Sequence, residues 1–230
     1  RVALEVQGPW LYIGGALTHT KGGTTINPVY SKMIVRVSAA TGVPDGGWNP
    51  NLNGTVVDLD ASTDGTRLYA SGYFGVAGST PSKRVAVLNL TNGAAVQSWE
   101  PTWSHAADYQ QAILEVGDRI WTGGAEHNLF SFDRTTLQRL SGSITKQGGD
   151  FQAIGAAQGV VYGTCHCNGW NYENAFTWSN VGTGWNQADK VGYIVPVDAA
   201  TGLNVPEFNP VLGVAYGHGR WSTLTDSLGN

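Results

Sequence analysis

Leu68-Tyr69-Ala70-Ser71-Gly72 begins a phrase that recurs along this chain of 230 residues. An apolar/aromatic pair and small residues open each copy, a turn signature such as Asn89-Leu90-Thr91-Asn92-Gly93 comes later, and an aromatic-x-Pro triplet such as Trp99-Glu100-Pro101 closes three copies. The other openings are Leu11-Tyr12-Ile13-Gly14-Gly15, Ile120-Trp121-Thr122-Gly123-Gly124 and Val161-Tyr162-Gly163-Thr164-Cys165. Self-similarity at about 40 to 57 residues indicates a repeat architecture, and strand-rich units of this length are typical of propeller blades.

The composition favours an all-β protein. Only 13% of the residues are charged, and the chain contains 32 Gly, 9 Trp and 9 Tyr, which is a Gly-punctuated, aromatic-rich pattern. The net charge of −4 comes without a basic stripe, so no nucleic-acid partner is expected. Gly, Asn and Thr interrupt every long uncharged stretch, so no membrane insertion is expected. Low Lys and high Gly, Thr and Asn suggest a secreted or cell-surface protein.

The repeats predict a β-propeller of four-stranded antiparallel blades. The second blade is clearest, with strands expected at 55–61, 67–74, 84–90 and 95–99 and Asp64-Gly65 in its first hairpin. Because propellers protect their sheet edges by closing a ring, we expect residues 1–230 to be one segment of a larger ring. The alternative is that the last strand pairs back onto the first blade. The predicted blades are residues 2–52, 55–103, 109–149 and 151–212, with 213–230 matching the first strand of a fifth.

The order of these motifs is similar to that of a known group of repeats. Leu-Tyr-x-Gly-Gly-x-Phe/Leu, then Asp-x-x-Thr-Gly, then Trp/Phe-Asn-Pro resembles the propeller repeats of bacterial extracellular proteins, often actinobacterial, which lie beside PKD-like or lectin-like (LamG-type) modules. The resemblance covers nearly the whole chain and implies an architecture, with no catalytic motif to carry over. This chain departs from it at Glu126-His127-Asn128 and at Cys165-His166-Cys167.

Cys165 and Cys167 are the only two cysteines, at the end of a predicted strand. In an extended strand their Cα atoms would lie ~6–7 Å apart, near the upper limit for a disulfide, so a bridge needs a local bend or bulge. A disulfide, two free thiols and a metal site are the alternatives. Zinc needs about four ligands, and no second Cys/His pair has ligand spacing. We favour the disulfide in an oxidising compartment, and we expect no metal and no cofactor.

The segment after the cysteines, residues 168–189, is expected to be an inserted loop that carries a binding site. Aromatic faces stack on sugar rings, and amide or acidic side chains hydrogen-bond to hydroxyls. The alternative is a small aromatic core that anchors a long loop. Insertions at 19–32, 75–83 and 168–189 all join the second strand of a blade to the third, so we expect them on one face. The candidate ligand-binding residues are Trp170, Asn171, Tyr172, Asn174, Trp178 and Trp185.

No matched catalytic set is present in the sequence. Asp58, Asp60 and Glu115 lie in predicted first strands, but the other copies offer no carboxylate to pair with them as glycosidases require. Trp48, Trp99 and Phe208 recur in register and are expected to pack between blades. The sequence therefore predicts a non-catalytic extracellular module that recognises a glycan or surface polymer. The alternatives are a structural scaffold, as a subunit of a surface appendage or virion fibre that contacts another protein subunit, and a propeller glycoside hydrolase or lyase.

Overall fold

The computed structural model describes residues 2–125, 127–147, 149–181 and 188–206. These residues form an all-β protein with one short 3-10 helix at Trp178–Asn180, so the predicted fold class is confirmed at this level. Within the described ranges, no helix is long and apolar enough to span a membrane. The chain divides into two compact units, Arg1–Pro101 and Thr102–Asn230, and each contains two of the predicted repeats. The expected fifth copy, Phe208 and Trp185 lie outside the described residues.

The first unit contains two antiparallel three-stranded sheets, ordered β1-β2-β5 and β10-β7-β6. Its strands are β1 (Ala3–Gln7), β2 (Trp10–Gly14), β3 (His19–Thr20), β4 (Val29–Tyr30), β5 (Ile34–Ser38), β6 (Val56–Ala61), β7 (Arg67–Gly72), β8 (Val76–Ala77), β9 (Thr80–Pro81) and β10 (Val85–Asn89). The fourth strand expected at 95–99 is reduced to isolated bridges, Leu88–Ala95 and Ser82–Trp99, and the first repeat has the corresponding bridge Val37–Pro44. The insertions 19–32 and 75–83 fold as short hairpins, β3–β4 and β8–β9.

Small residues in the recurring phrase allow neighbouring repeats to approach closely. A Cβ added at Gly14, the end of β2, would lie 2.5 Å from a methyl carbon of Val56 in the next repeat. A Cβ added at Gly123 would lie 2.8 Å from Cβ of Phe151. The aromatic closure is buried beside this contact, since Trp48 is fully buried and meets the Tyr12 ring edge to face at 5.1 Å. Trp48 and Trp99 are both buried, as their regular spacing predicted.

The turn signature has the same structure in all four repeats. The first side chain accepts hydrogen bonds from backbone N–H groups two or three residues further on, which is an Asx- or Ser-turn. Its residues are Ser38, Asn89, Asp133 and Asp198. The fifth residue has a positive φ in every copy and is Gly42, Gly93, Leu137 or Gly202. The third repeat therefore keeps the turn without the glycine.

The second unit contains one continuous sheet in the order β11-β12-β13-β14-β16-β15, with β17 also paired to β16. Its strands are β11 (Gln110–Val116), β12 (Arg119–Gly124), β13 (Asn128–Asp133), β14 (Arg139–Lys146), β15 (Phe151–Ala157), β16 (Val160–Glu173) and β17 (Ala188–Asp198). The third repeat supplies four full strands, and the fourth supplies three strands and a bridge between Val197 and Asn204. The long strand β16 joins the two repeats, because its first half pairs with β15 and its second half with β14.

Candidate functional site

The candidate site is a three-stranded ribbon built from the ends of β14, β16 and β17. Residues 168–173 of β16 pair with β17 on one side, and residues 170–173 pair with β14 on the other. The sequence predicted a loop at 168–189, and the structure instead continues the strand through 173 and resumes it at 188. Pairing with β14 explains the difference, because it satisfies the backbone groups that a loop would leave to water. The alternation of aromatic and polar residues from Trp170 to Glu173 was the available sequence signal.

A bulge in β16 brings the two cysteines together. The β16–β17 register shifts between Thr164 and Asn168, and the Cα atoms of Cys165 and Cys167 lie 5.1 Å apart with their sulfur atoms at bonding distance. The spacing of the two cysteines predicted that a bridge would need a local bend or bulge. Both side chains are fully buried and pack in a cluster with Leu129, among others. The pair therefore belongs to the core beneath the ribbon.

The outer face of the ribbon presents an exposed tryptophan. Trp170 is 44% exposed, and Asn168 and Tyr172, two positions before and after it, share its face because side chains alternate along a strand. The alternate residues Gly169, Asn171 and Glu173 are buried on the opposite face. Trp170 thus stands on the middle strand of three, where backbone pairing on both sides holds its Cα in place.

Two lysines flank Trp170 in register. Lys146 of β14 and Lys190 of β17 are the direct cross-strand partners of Trp170. Directly opposed residues in antiparallel strands project from the same face with Cβ atoms about 5 Å apart. Both lysines are exposed. Neither lysine was among the predicted site residues, since both are distant from Trp170 in the chain.

The predicted ligand residue Asn171 lies on the buried face, where its amide holds the ribbon to the turn after β17. Asn171 Nδ2 donates to Oδ1 of Asn204 at 2.6 Å, and Nδ2 of Asn204 donates to the carbonyl of Asn171 at 3.2 Å. Glu173 accepts the backbone N–H of Asn204 at 2.8 Å. These bonds give Asn171 a structural role in fixing the ribbon.

The aromatic residues after β16 pack onto the third repeat. The ring of Trp178 meets His127 edge to face at 5.2 Å, and Phe176 lies against Phe130. The guanidinium of Arg139 lies 4.5 Å from the Phe176 ring centroid, a cation–π distance. Phe176 and Trp178 therefore form the small anchoring core that was the alternative interpretation of this segment. Asn174 is exposed, with φ +54° at the end of the strand.

A second concave region lies in the first unit. A cavity of about 370 Å³ is lined by residues that include Trp10, Tyr12 and Arg36. Arg36 donates to Asp45 and to the carbonyl of Leu90. Burial is the main cause that raises the pKa of Tyr12 above its ordinary value. Because the bonds of Arg36 go to the protein itself, its role is to connect the two repeats of this unit.

The carboxylates considered for catalysis lie in the first strands of the second and third repeats. Glu115 lies 3.4 Å from Nη1 of Arg134, and Asp58 and Asp60 are half-buried in β6. Among the residues that the structure describes, no group of three His, Cys, Asp or Glu side chains could hold a metal ion. Asp64 caps the Ser62–Thr66 turn by accepting from Ser62 and Thr66.

Comparison with known proteins shows the fold class. No protein-family model and no curated protein matches this chain. Among solved structures, the computationally designed Ika8 protein is similar with a TM-score of 0.50 at 15% identity, over 89% of this chain and 60% of that one. The RRP9 WD40 repeats are similar with a TM-score of 0.51 at 10% identity, over 75% of this chain and 50% of that one. These likenesses define a propeller-like all-β fold. The chain spans half to three fifths of the length of the two structures.

Proposed function

We propose that this chain is a non-catalytic binding module of an extracellular bacterial protein, and that it recognises a glycan or surface polymer through the outer face of the β14–β16–β17 ribbon. The observation that carries the proposal is the 44% exposure of Trp170 on the middle strand of that ribbon. We further propose that the repeats are four blades of a propeller, at residues 2–52, 55–103, 109–149 and 151–212.

The support for binding is the cost of leaving this side chain exposed. A tryptophan carries a large apolar surface that is free to gain contacts, and covering it with an apolar sugar face is favourable. Backbone pairing on both sides of Trp170 orders the residue before any ligand arrives. Little conformational entropy is then lost on binding, which raises affinity.

The support for a sugar, in preference to a fully apolar ligand, comes from the neighbours of Trp170. Asn168 and the half-buried Tyr172 share its face, and the exposed amide of Asn168 can hydrogen-bond to sugar hydroxyls. An aromatic platform with polar groups at its edges is the arrangement that an amphipathic ring requires. The contact surface that we propose is therefore Trp170, Tyr172 and Asn168, without the buried Asn171 and the packed Trp178.

A glycan array probed with the wild-type chain and with Trp170→Ala tests the proposal. We expect the substitution to lower affinity at least tenfold, since losing the burial of a large aromatic side chain costs about 1.5–3 kcal/mol and 1.4 kcal/mol is a factor of ten. Tyr73→Ala is the matched control, because Tyr73 is 49% exposed in the first unit. Circular dichroism checks that each variant is folded.

Two results would count against the proposal. Binding that persists unchanged in Trp170→Ala would remove the ribbon from recognition. Absence of glycan binding together with self-association by light scattering, lost on Trp170→Ala, would favour the structural-scaffold alternative, in which the same tryptophan contacts another subunit.

A further inference from the structure

We infer that the ligand of this ribbon is an acidic saccharide, whose carboxylates lie beside Lys146 and Lys190 while its ring covers Trp170. The inference rests on the proposed glycan recognition and adds the charge of the ligand. Lys146, Trp170 and Lys190 lie in one row across three strands, since Trp170 is the direct register partner of both lysines. With strands about 4.8 Å apart, the two lysine Cα atoms are separated by roughly 10 Å.

The row formed by Lys146, Trp170 and Lys190 is positively charged because the acidic residues of the ribbon lie on its inner face. Asp189 is the register partner of Asn171, and Glu173 is the partner of Ser143. Asn171, Glu173 and Ser143 are all buried, so these pairs point to the inner face. In the part of the chain that the structure describes, neither lysine has a carboxylate at salt-bridge distance.

This local charge opposes the charge of the whole chain. The sequence has 17 acidic and 13 basic residues, whereas the described residues of this face carry two ammonium groups and, by their register, no carboxylate. An anionic ligand is attracted to these two groups while the rest of the acidic chain repels it. The flat ring between the two charges favours a ligand that combines an apolar ring face with acidic groups at its edges, and a uronate or sialate residue has that chemistry.

The lysine chemistry fits carboxylates on a flexible chain. A lysine ammonium is a mobile point charge with three donors and no fixed fork, so it follows a carboxylate whose position varies between sugar residues. Each exposed ion pair contributes modestly, so losing one lysine is expected to weaken binding about twofold to fivefold. Added salt screens such pairs and weakens binding further.

The test is an array of uronate and sialate oligosaccharides, each beside its methyl ester, in which the sugar is unchanged and the charge is removed. We expect the acids to bind more tightly than their esters, and Lys146→Gln/Lys190→Gln to abolish the difference. Lys21→Gln, at an exposed lysine of the first unit, is the control and should leave the preference unchanged. Raising the salt concentration should reduce the preference in the wild type and not in the double variant.

The possible results test the charge of the ligand separately from glycan recognition. Equal binding of acids and esters that depends on Trp170 overturns the acidic ligand and leaves glycan recognition standing. No binding to any saccharide overturns both. Binding of polyglutamate that requires the two lysines but survives Trp170→Ala would assign the surface to an acidic peptide and overturn the saccharide. Binding of duplex DNA that requires the two lysines but survives Trp170→Ala would also overturn the saccharide.

Discussion

The guanidinium of Arg36 donates two hydrogen bonds to a single carboxylate oxygen of Asp45, from Nε at 2.9 Å and from Nη2 at 2.6 Å. Its remaining terminal nitrogen donates to the carbonyl of Leu90, in the turn of the next repeat, at 2.7 Å. The same guanidinium lies 4.3 Å from the Trp10 ring centroid. One side chain thus closes the turn of the first repeat and connects it to the second.

Arg36→Lys should destabilise the first unit by about 1–2 kcal/mol. Lysine keeps the charge but cannot donate to Asp45 and Leu90 at once in the planar arrangement of a guanidinium, and each lost hydrogen bond to a charged group costs on this order. Urea unfolding followed by tryptophan fluorescence measures the change. A double-mutant cycle with Asp45→Asn isolates the ion pair, and additive single effects would show that the two residues are not coupled.

Gly42→Ala should cost about 1 kcal/mol of stability. Gly42 has φ +71°, and its added Cβ would meet no atom closer than 3.6 Å, so the cost is the backbone strain of a left-handed alanine rather than a clash. Gly75→Ala is the matched control, because Gly75 has no positive φ and open space around it. Equal stabilities of the two variants in urea unfolding would contradict this assignment.

The turn aspartate Asp198 should make stability fall at acid pH. The Thr201 hydroxyl and its backbone N–H donate to the carboxylate and lower the pKa of Asp198 below its ordinary value. Because the folded pKa is depressed, the stabilisation is complete above the unfolded pKa of about 3.9 and is lost as pH falls through the lower folded value. Asp198→Asn should therefore be less stable than wild type at neutral pH, with the difference shrinking in that acid window.

Amide hydrogen exchange of Ala200 and Thr201, whose N–H groups donate to Asp198, gives the local readout for that variant. Asp133 has the same arrangement, since the N–H groups of Thr136 and Thr135 lower its pKa. Asp133→Asn should show the same dependence on pH. A constant gap between wild type and variant from neutral to acid pH would contradict the role of the carboxylate charge.

Substitutions of the cysteine pair should distinguish the stability that comes from a disulfide from the stability that comes from side-chain packing. A bridge between Cys165 and Cys167 closes a very short loop, so constraint of the unfolded chain contributes less than the typical 2–4 kcal/mol of a disulfide. Both sites are fully buried, so Cys165→Ser/Cys167→Ser should be less stable than Cys165→Ala/Cys167→Ala because it buries two hydroxyls. Thiol titration of the unfolded wild type, with and without reductant, reports the bridge. Free thiols without reductant would contradict it.

The recurring phrase predicted most of the strand positions because each signal is local. The strands expected at 67–74 and 84–90 are observed at Arg67–Gly72 and Val85–Asn89. Asp64-Gly65 forms the hairpin turn between β6 and β7, with Gly65 at φ +68°. The positive φ of Leu137 was not predictable from its residue type, because leucine rarely adopts this conformation. The surrounding hydrogen bonds impose it.

The candidate site was predicted less completely, because its geometry depends on pairs far apart in the chain. Aromatic and amide residues at 168–189 suggested a site, but nothing local tells Asn171 from Asn168. The structure separates them through Asn204, which lies 33 residues after Asn171 and binds its amide. Trp170 and Trp178 are likewise equivalent in the sequence, and contact with His127 distinguishes the packed one.

The sequence by itself determined the repeat, the all-β class, the turn signatures and the need for a bend or bulge at Cys165-His166-Cys167. These follow from side-chain periodicity, from turn chemistry and from the fixed reach of an extended strand. Only the tertiary structure decided that β16 continues along β14 and that Lys146 and Lys190 lie on either side of Trp170. The physical reason is register. Backbone hydrogen bonds between strands are nearly independent of sequence, so the contacts that select one pairing are made only after distant segments have come together.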